Sequence, residues 1–317
     1  MKRIVTVGGG TGSYTVLSGL KTLPDVFLTA LVSMADDGGS TGVLRRKWGV
    51  MPPGDVRQCL VALSGKEFLN RRVRGHKLGN ILLAVMEKIT GDFSRGLKIL
   101  SFIFNARGKI IPITKDAAVL CAELKGGEVI TGESKIDTAD LQTENGGDNL
   151  ERIFYERNTM LNPLGRDAIL AADHIIIGPG NIYCSIIPNL IAENFQETIQ
   201  ASKAKIIFLV NLVNKQGHTM GWNTERYIST VEKYLGRKAD FILINKGEFS
   251  GEQKERYLKD AGEEVFIKNE YGSPRVIRED LLSNKISTQN NNDSVKRSLI
   301  RHDSLKLADC IKKIIAK

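Results

Sequence analysis

Apolar residues near the start of the chain alternate between two spacings. Residues 3–7 and 28–34 are short β-branched or aliphatic runs typical of buried strands. Between them, residues 14–23 carry apolar side chains at the three- and four-residue spacing of a helix. This succession of strand, helix and strand predicts the opening of a parallel sheet covered by helices.

Two more helices are predicted before position 100. One passes through Val56, Leu60 and Leu63 with Asp55 as its N-cap, and the other covers residues 78–89. Beyond them the apolar spacing changes to a period of two, which is typical of half-exposed strands. The segments that alternate in this way are residues 109–114, 118–124 and 128–131.

The glycine pair Gly126-Gly127 separates the last two of these segments as a hairpin turn would. We therefore predict an inserted, partly antiparallel subdomain over residues 105–160. A Rossmann-like core of residues 1–104 and 161–317 would hold a doubly wound, mostly parallel sheet, so the fold class is α/β.

The second half of the chain returns to the parallel pattern. A helix is predicted over residues 163–172 with Asn162 as its cap, and residues 283–294 have the composition of a surface loop. Strands are predicted at residues 174–177, 205–210, 240–244 and 264–267. A last helix, capped by Asp303, has an apolar face made of Leu305, Ala308, Ile311 and Ile315.

Composition excludes several classes of protein. With 42% hydrophobic and 26% charged residues the chain is an ordinary globular one, and no apolar stretch is long enough to cross a bilayer. The first apolar run is too short for a signal peptide, so we expect a cytoplasmic protein. Four cysteines lie far apart, without metal or disulfide spacing, and are expected to be buried thiols.

Basic residues outnumber acidic ones by 45 to 36, which gives a formal charge of +9. Such a balance suits anionic small molecules, although an unspecialised basic surface has the same composition. Zinc-finger and ribonucleoprotein motifs are lacking, so a nucleic-acid partner is not expected.

A glycine-rich turn follows the first predicted strand. Gly9, Gly10, Thr11 and Gly12 would let the backbone approach a phosphate, and the start of the next helix would supply N–H groups. Ser13 stands where the dinucleotide fingerprint has its third glycine. Close packing of the backbone is the alternative explanation for these glycines.

Two carboxylates, Asp36 and Asp37, follow the second strand and should point into the same crevice as the glycine turn. One of them could accept hydrogen bonds from a ribose, hold a divalent cation or act as a base. Otherwise one aspartate simply caps the segment that follows. We expect only one of the two to face the crevice.

A second turn of small residues follows a later strand and contains Gly178, Pro179, Gly180 and Asn181. Two such turns in one sheet can place backbone donors on either side of a topological switch point. Asn211, at the end of the next strand, could read a base edge or complete a turn.

Five segments, GGGTG, ADDGGSTG, PPGDVRQCL, GHKLGN and IIIGPGNIYCSIIPNL, occur in this order over nearly the whole chain. Together they resemble the gluconeogenesis factor family, of the CofD-like superfamily of 2-phospho-L-lactate transferases. The resemblance implies a Rossmann-like core with an insertion and binding of UDP-sugars such as UDP-N-acetylglucosamine or UDP-glucose. It also implies support of growth and of cell-wall (peptidoglycan) morphogenesis and cell shape on gluconeogenic carbon sources.

The resemblance also transfers candidate ligand contacts to this chain. They are Gly10, Thr11, Gly12, Asp36, Asp37, Asp55, Arg57, Asn80, Gly178, Pro179, Gly180, Asn181, Tyr183 and Asn211. Arg301, before the last helix, resembles a diphosphate clamp. Where the family has Gly-Glu-Thr, this chain has Gly217-His218-Thr219 and so lacks an acid.

Other functions remain open from the sequence. A metal-dependent transferase of the 2-phospho-L-lactate transferase type would hold Mg²⁺ with Asp36, Asp37 or Asp55, which are then the catalytic candidates. An oxidoreductase, or weak NAD binding, is the second alternative. The expected partners are a nucleotide-sugar, a cell-wall synthesis or signalling protein, and a second copy in a homo-oligomer. Ser304 is a candidate phosphorylation site.

Overall fold

The computed structural model describes residues 1–143, 147–261, 265–268, 270–284 and 300–316. Its centre is a seven-stranded sheet in which every neighbouring pair of strands is parallel. From one edge to the other the strands are β12 (Val276–Glu279), β11 (Phe241–Asn245), β10 (Lys205–Leu209), β9 (His174–Ile177), β1 (Lys2–Gly8), β2 (Val26–Val32) and β5 (Lys109–Pro112). The predicted α/β fold with a mostly parallel sheet is therefore confirmed.

The chain winds outward from β1 in two directions. It first forms β2 and β5 on one side, then returns to form β9 against the other side of β1 and continues outward to β12. Val7 of β1 lies opposite Ile177 of β9, so the two strands end side by side. The order of strands reverses between them, and this is where open α/β sheets bind ligands.

Helices cover both faces of this sheet because its strands are buried on both sides. Ile4 packs in one core with α1, α3 and α12, whereas Val5 and Val7 pack in the other with α9 and α10. The helices are α1 (Gly10–Leu20), α2 (Gly39–Trp48), α3 (Gly54–Ser64), α4 (Leu78–Thr90), α5 (Phe93–Ile103), α6 (Glu133–Thr138), α7 (Pro163–Leu170), α8 (Ile187–Leu190), α9 (Phe195–Ala201), α10 (Thr224–Leu235), α11 (Gly251–Ala261) and α12 (Ser304–Ile315).

A small antiparallel sheet interrupts the parallel pattern. It consists of β7 (Val129–Thr131), β6 (Leu120–Leu124) and β8 (Leu150–Tyr155), and the predicted turn at Gly126-Gly127 joins β6 to β7. Leu120 and Ile153 share a core with the main sheet. A two-stranded hairpin, β3 (Arg72–Val73) and β4 (His76–Lys77), precedes α4.

Two predicted strands are wrong in detail, and one strand was not predicted. β5 was expected in the antiparallel insertion but extends the main sheet parallel to β2, since alternation alone does not reveal a strand's partner. In the predicted strand at residues 264–267, Phe266 forms an isolated bridge to Val213, and Glu264 lies outside the described residues. The sheet is completed instead by β12, a half-exposed edge strand with a weak apolar signal. The boundaries of the domains stay a prediction.

The predicted N-cap of the last helix is confirmed. The Asp303 carboxylate accepts hydrogen bonds from the N–H groups of Leu305 and Lys306 at 2.9 and 3.1 Å. Leu305, expected on the apolar face, is 59% exposed, and Leu307 is buried in its place. Asn162 likewise caps α7. Most of the predicted loop at residues 283–294 lies outside the described residues.

All four cysteines are buried, as expected: Cys59, Cys121, Cys184 and Cys310.

A search of the described residues finds no helix with both the length and the apolar content needed to cross a bilayer.

Two buried histidines should make stability depend on acid. Burial lowers the pKa of His218 to about 4 and that of His302 to about 3. In an unfolded chain both imidazoles take up a proton near pH 6.5, whereas in the folded protein they do so only near pH 4 or 3. The folded state is therefore fully favoured above pH 6.5 and loses stability as the pH falls towards those lower values.

We expect the variant His302→Gln to lose part of this dependence. Over the range from pH 6 to pH 4.5 each such histidine contributes a slope of up to about 1.4 kcal/mol per pH unit, and glutamine has no titrating group to contribute one. Urea unfolding at several pH values measures the slope for both proteins. Equal slopes for the variant and the parent would contradict the assignment.

Candidate functional site

The two turns of small residues meet at the carboxyl edge of the sheet. The first joins β1 to α1 and the second follows β9. They touch at Gly12, where a Cβ atom would lie 1.8 Å from the Pro179 carbonyl oxygen. Gly10 and Gly178 have φ values of 58° and 76°, which favour glycine. The glycines are thus required for close packing, and the same packing brings two backbone segments to one crevice.

The start of α1 opens into this crevice. The helix begins at Gly10, four residues before the predicted start, because its first residues have no apolar periodicity. Gly9 is its N-cap and has no side chain that could cap the helix. Gly10, Thr11 and Gly12 are partly exposed. An eleven-residue helix with this kind of start presents N–H groups and a partial positive charge to a bound anion.

Asp55 was expected to cap α3, and this is wrong. The helix begins at Gly54 after Pro53, which is its N-cap, so Asp55 lies inside the first turn. Its carboxylate instead faces the glycine turn: a Cβ atom on Gly9 would lie 2.2 Å from Asp55 Oδ2. Asp55 is therefore a residue of the crevice rather than a local cap.

Asp36 and Asp37 point in different directions. Asp36 Oδ1 accepts the Gly38 N–H at 3.0 Å, and its carboxyl group lies against Gly54. Burial raises the pKa of Asp36, and hydrogen bonds from Thr41 and Gly38 oppose the increase. Asp37 Oδ1 accepts the Ser134 N–H of α6 at 2.8 Å. One aspartate is thus held inside the crevice, and the other joins the crevice to α6.

α6 adds two acids that the sequence motifs do not include, Glu133 and Asp137. Burial raises the pKa of Glu133 well above its ordinary value, and the charges of nearby acids raise it further. Those neighbours are Asp36, Asp137, Asp55 and Asp37, in decreasing order of effect. We call these five residues the acidic cluster.

The acidic cluster has the chemistry of a site for a hard divalent cation. Ligand atoms of Glu133, Asp137 and Cys184 lie within 4.8 Å of one another. Burial also raises the pKa of the Cys184 thiol well above its ordinary value, so this sulfur stays protonated. The available ligands are then carboxylate oxygens, which suit Mg²⁺ or Ca²⁺ rather than a thiophilic metal.

Polar contacts tie α6 to the second turn. Lys215 Nζ donates to Asp137 Oδ1 at 2.5 Å and to the Asp137 carbonyl at 2.6 Å. Asn181 Nδ2 donates to the same Asp137 oxygen at 2.8 Å. The small antiparallel sheet is therefore connected directly to the crevice through α6.

Asn211 and Tyr183, two of the predicted ligand contacts, make contacts within the protein near the second turn. The amide of Asn211 accepts the Gly180 N–H at 3.1 Å and donates to the Gly180 carbonyl at 2.9 Å. The Tyr183 ring is buried edge-on against Trp222, with ring centroids 6.1 Å apart. Asn211 is thus bonded to the second turn, and Tyr183 is packed against another aromatic ring. Direct contact with a ligand stays a prediction for each.

His218 occupies the position where the resembled family has an acid. It is buried, its Nε2 lies 3.0 Å from the Ile136 carbonyl, and its lowered pKa keeps it neutral. This position therefore supplies no charge to the crevice.

Arg57 and Asn80 form a buried pair next to the crevice. Arg57 Nε donates to Asn80 Oδ1 at 2.8 Å, and its Nη1 donates to Asn70 Oδ1. The guanidinium thus joins α3 to α4. A phosphate contact of Arg57 stays a prediction.

Arg301 lies close enough to α1 for its charge to affect the pKa of Tyr14. Burial and a hydrogen bond to Glu67 raise the pKa of Tyr14 to about 12, and the positive charge of Arg301 opposes them. The start of α12 packs against α1, since a Cβ atom on Gly19 would lie 1.9 Å from the Ser304 carbonyl oxygen. Arg301 and Ser304 therefore lie beside α1, with Ser304 against the C-terminal part of that helix.

Comparison with known proteins identifies the family. The model of the family described as 2-phospho-L-lactate transferase CofD matches residues 4–282. The chain belongs to the CofD family. The gluconeogenesis factor of Halalkalibacterium halodurans is 38% identical over 279 residues, 84% of each chain. That of Bacillus subtilis is 34% identical over 323 residues, 98% of this chain and 96% of its own.

A solved structure supports the same relationship. The crystal structure of a Bacillus halodurans protein of the UPF0052 family has a TM-score of 0.85 and 34% sequence identity. It covers 98% of this chain and 100% of its own. The predicted resemblance to gluconeogenesis factors of the CofD-like group is thus confirmed at the level of family and fold.

The contact between the two turns of this CofD-family site can be tested with Gly12→Ala. The added methyl group would overlap the Pro179 carbonyl, so we expect a loss of about 1–3 kcal/mol in unfolding free energy. Gly126→Ala is the matched control, because no atom lies within 4 Å of a Cβ there. Chemical denaturation compares the two variants, and equal stabilities would show that the turns do not depend on this contact.

The acidic cluster should lower the stability of the ligand-free protein. Because the pKa of Glu133 is raised, the folded state favours its neutral form, and that stability is lost as the pH rises through the raised pKa. Glu133→Gln removes the charge and should increase stability at pH 8 by on the order of 1 kcal/mol. The gain should shrink at pH 5.

The control for this variant is Glu151→Gln, at an exposed position of β8 in the same small sheet. Denaturant midpoints at pH 8 and pH 5 give the comparison. A destabilised Glu133→Gln, or an equal gain from Glu151→Gln, would show that Glu133 carries no electrostatic penalty.

Proposed function

We propose that this CofD-family protein is a UDP-sugar-binding regulator, a gluconeogenesis factor needed for growth and cell-wall morphogenesis on gluconeogenic carbon sources. The observation that carries the proposal is the contact between Gly12 and Pro179 at the switch point of the sheet. Two backbone turns that share one crevice can surround a diphosphate, which is the part common to all UDP-sugars.

The ligand would lie across both turns. N–H groups at the start of α1 would bind one phosphate, the turn of Gly178, Gly180 and Asn181 the other, and Asp36 or Asp37 the ribose. Arg301 would approach the diphosphate from the side of α12. UDP-N-acetylglucosamine and UDP-glucose are the ligands to try first.

Binding could reach a protein partner through α6. Asp37 is bonded to Ser134 and Asn181 to Asp137, so a ligand that alters either bond would shift α6. The small antiparallel sheet carries α6 between two of its strands and would present the change to a cell-wall synthesis or signalling protein.

A thermal-shift panel tests the ligand class. It compares UDP-N-acetylglucosamine, UDP-glucose, GDP, GTP and NAD, each with and without Mg²⁺. Stabilisation by the two UDP-sugars above that by GDP, GTP and NAD supports the proposal. Equal effects of all five nucleotides, or none, would contradict it.

The role of Arg301 gives a sharper prediction. Arg301→Ala should weaken UDP-N-acetylglucosamine binding at least about tenfold, because it removes a charged partner of the diphosphate. The melting temperature without ligand should change little. Arg95→Ala, on the exposed face of α5, is the control. Unchanged affinity of the Arg301 variant in titration calorimetry would refute the clamp.

A metal-dependent transferase of the 2-phospho-L-lactate transferase type is the second candidate, favoured by the acidic cluster. Bound Mg²⁺ would neutralise the diphosphate and position it. Cleavage of a nucleotide donor that requires Mg²⁺ and is lost in Asp55→Asn would favour this reading. Binding without turnover favours the regulator.

A further inference from the structure

A serine and a histidine from separate elements lie in contact beside the crevice. Ser40 is in the first turn of α2, and its Oγ lies 3.0 Å from Nδ1 of His76 in β4. Both residues are half-buried, so they combine a fixed position with access from solvent. Hydroxyl and imidazole at this separation are the minimal pair for a nucleophilic serine.

The neighbouring residues favour one direction for this hydrogen bond. Arg57 has only N–H donors, so the atom of Asn80 that it contacts at 2.8 Å must be the carbonyl oxygen. Asn80 Nδ2 is then left to donate to Ser40 Oγ, at 3.3 Å. Since Ser40 Oγ accepts from Asn80, its own proton is available for His76 Nδ1.

This order leaves the Ser40 proton free to be donated to His76. In the tautomer with its proton on Nε2, neutral His76 offers the lone pair of Nδ1 to the Ser40 hydroxyl. The arrangement has the same logic as serine nucleophiles elsewhere, in which the base faces the hydroxyl and further groups hold both in place. Here those further groups are Asn80 and Arg57, both buried.

The position of Ser40 also suits an attack on an anionic centre. The next residue, Thr41, bonds to Asp36, which places Ser40 at the edge of the crevice. N–H groups in the first turn of a helix have no acceptors within that helix and stabilise developing negative charge. Attack on a phosphoryl group produces such charge.

We propose that Ser40 is a nucleophile towards a phosphoryl group, with His76 as its base and Asn80 and Arg57 as positioning residues. Ser40 Oγ forms a bond to phosphorus while the bond from phosphorus to the leaving group breaks, and the leaving group takes that electron pair. The Ser40 proton passes to His76 Nδ1 and then to the leaving group. Attack by water on the phosphoserine restores the hydroxyl.

This activity goes beyond nucleotide-sugar binding and can be tested without any nucleotide. The probe is diisopropyl fluorophosphate, whose phosphorus takes the serine oxygen and releases fluoride. Peptide mass spectrometry should find the phosphoryl adduct on Ser40 of the unaltered protein. Failure of UDP-sugars to bind would leave this result unaffected.

Variants separate the roles of Ser40, His76 and Asn80. Ser40→Ala should abolish the adduct, and His76→Gln should slow its formation at least about 100-fold. Asn80→Ala should reduce the maximal rate of labelling with little change in the probe concentration that gives half that rate. Ser101→Ala, in α5, is the control and should label as the parent does. Circular dichroism melts show whether each variant is folded.

The parent protein alone can overturn the proposal. Absence of an adduct at Ser40, or labelling of several serines at similar rates, would show that Ser40 is not activated. Labelling at Ser40 that is equally fast in folded His76→Gln would exclude His76 as the base.

Discussion

The close approach of two backbone turns at one edge of the sheet determines the rest of this structure. Gly12 must lack a side chain because the Pro179 carbonyl occupies the place where a Cβ atom would be. This contact is possible because β1 and β9 are neighbours and end together at the point where the strand order reverses. The crevice and the partly exposed start of α1 are consequences of that packing.

Repulsion between the carboxylates around the crevice lowers the stability of the folded protein. The other four carboxyl groups of the acidic cluster raise the pKa of Glu133, and two of the five groups come from the short helix α6. Such repulsion is tolerated where a cation or a donor-rich ligand compensates for it. Lys215 and Asn181 already provide part of this compensation at Asp137. The small sheet that carries α6 is thereby made part of the site.

Much of the sheet could be predicted because its central strands are continuous apolar runs. Residues 174–177 were predicted as a strand and form β9 with the same bounds, since all four side chains are buried. β12 was missed because it is a half-exposed edge strand with a weak apolar signal. Glu133 and Asp137 could not be found from spacing, because only the fold of the insertion brings them to Asp36. Asp55 was misassigned because the sequence does not distinguish an aspartate that caps its own helix from one that faces a distant glycine turn.

A crystal structure of the protein with UDP-N-acetylglucosamine would test the central claim most directly. Binding across both turns predicts diphosphate oxygens about 3 Å from N–H groups of both Gly10–Gly12 and Gly178–Asn181, with the ligand across the ends of β1 and β9. A diphosphate bound at another edge of the sheet, or contacts to only one of the two turns, would contradict it.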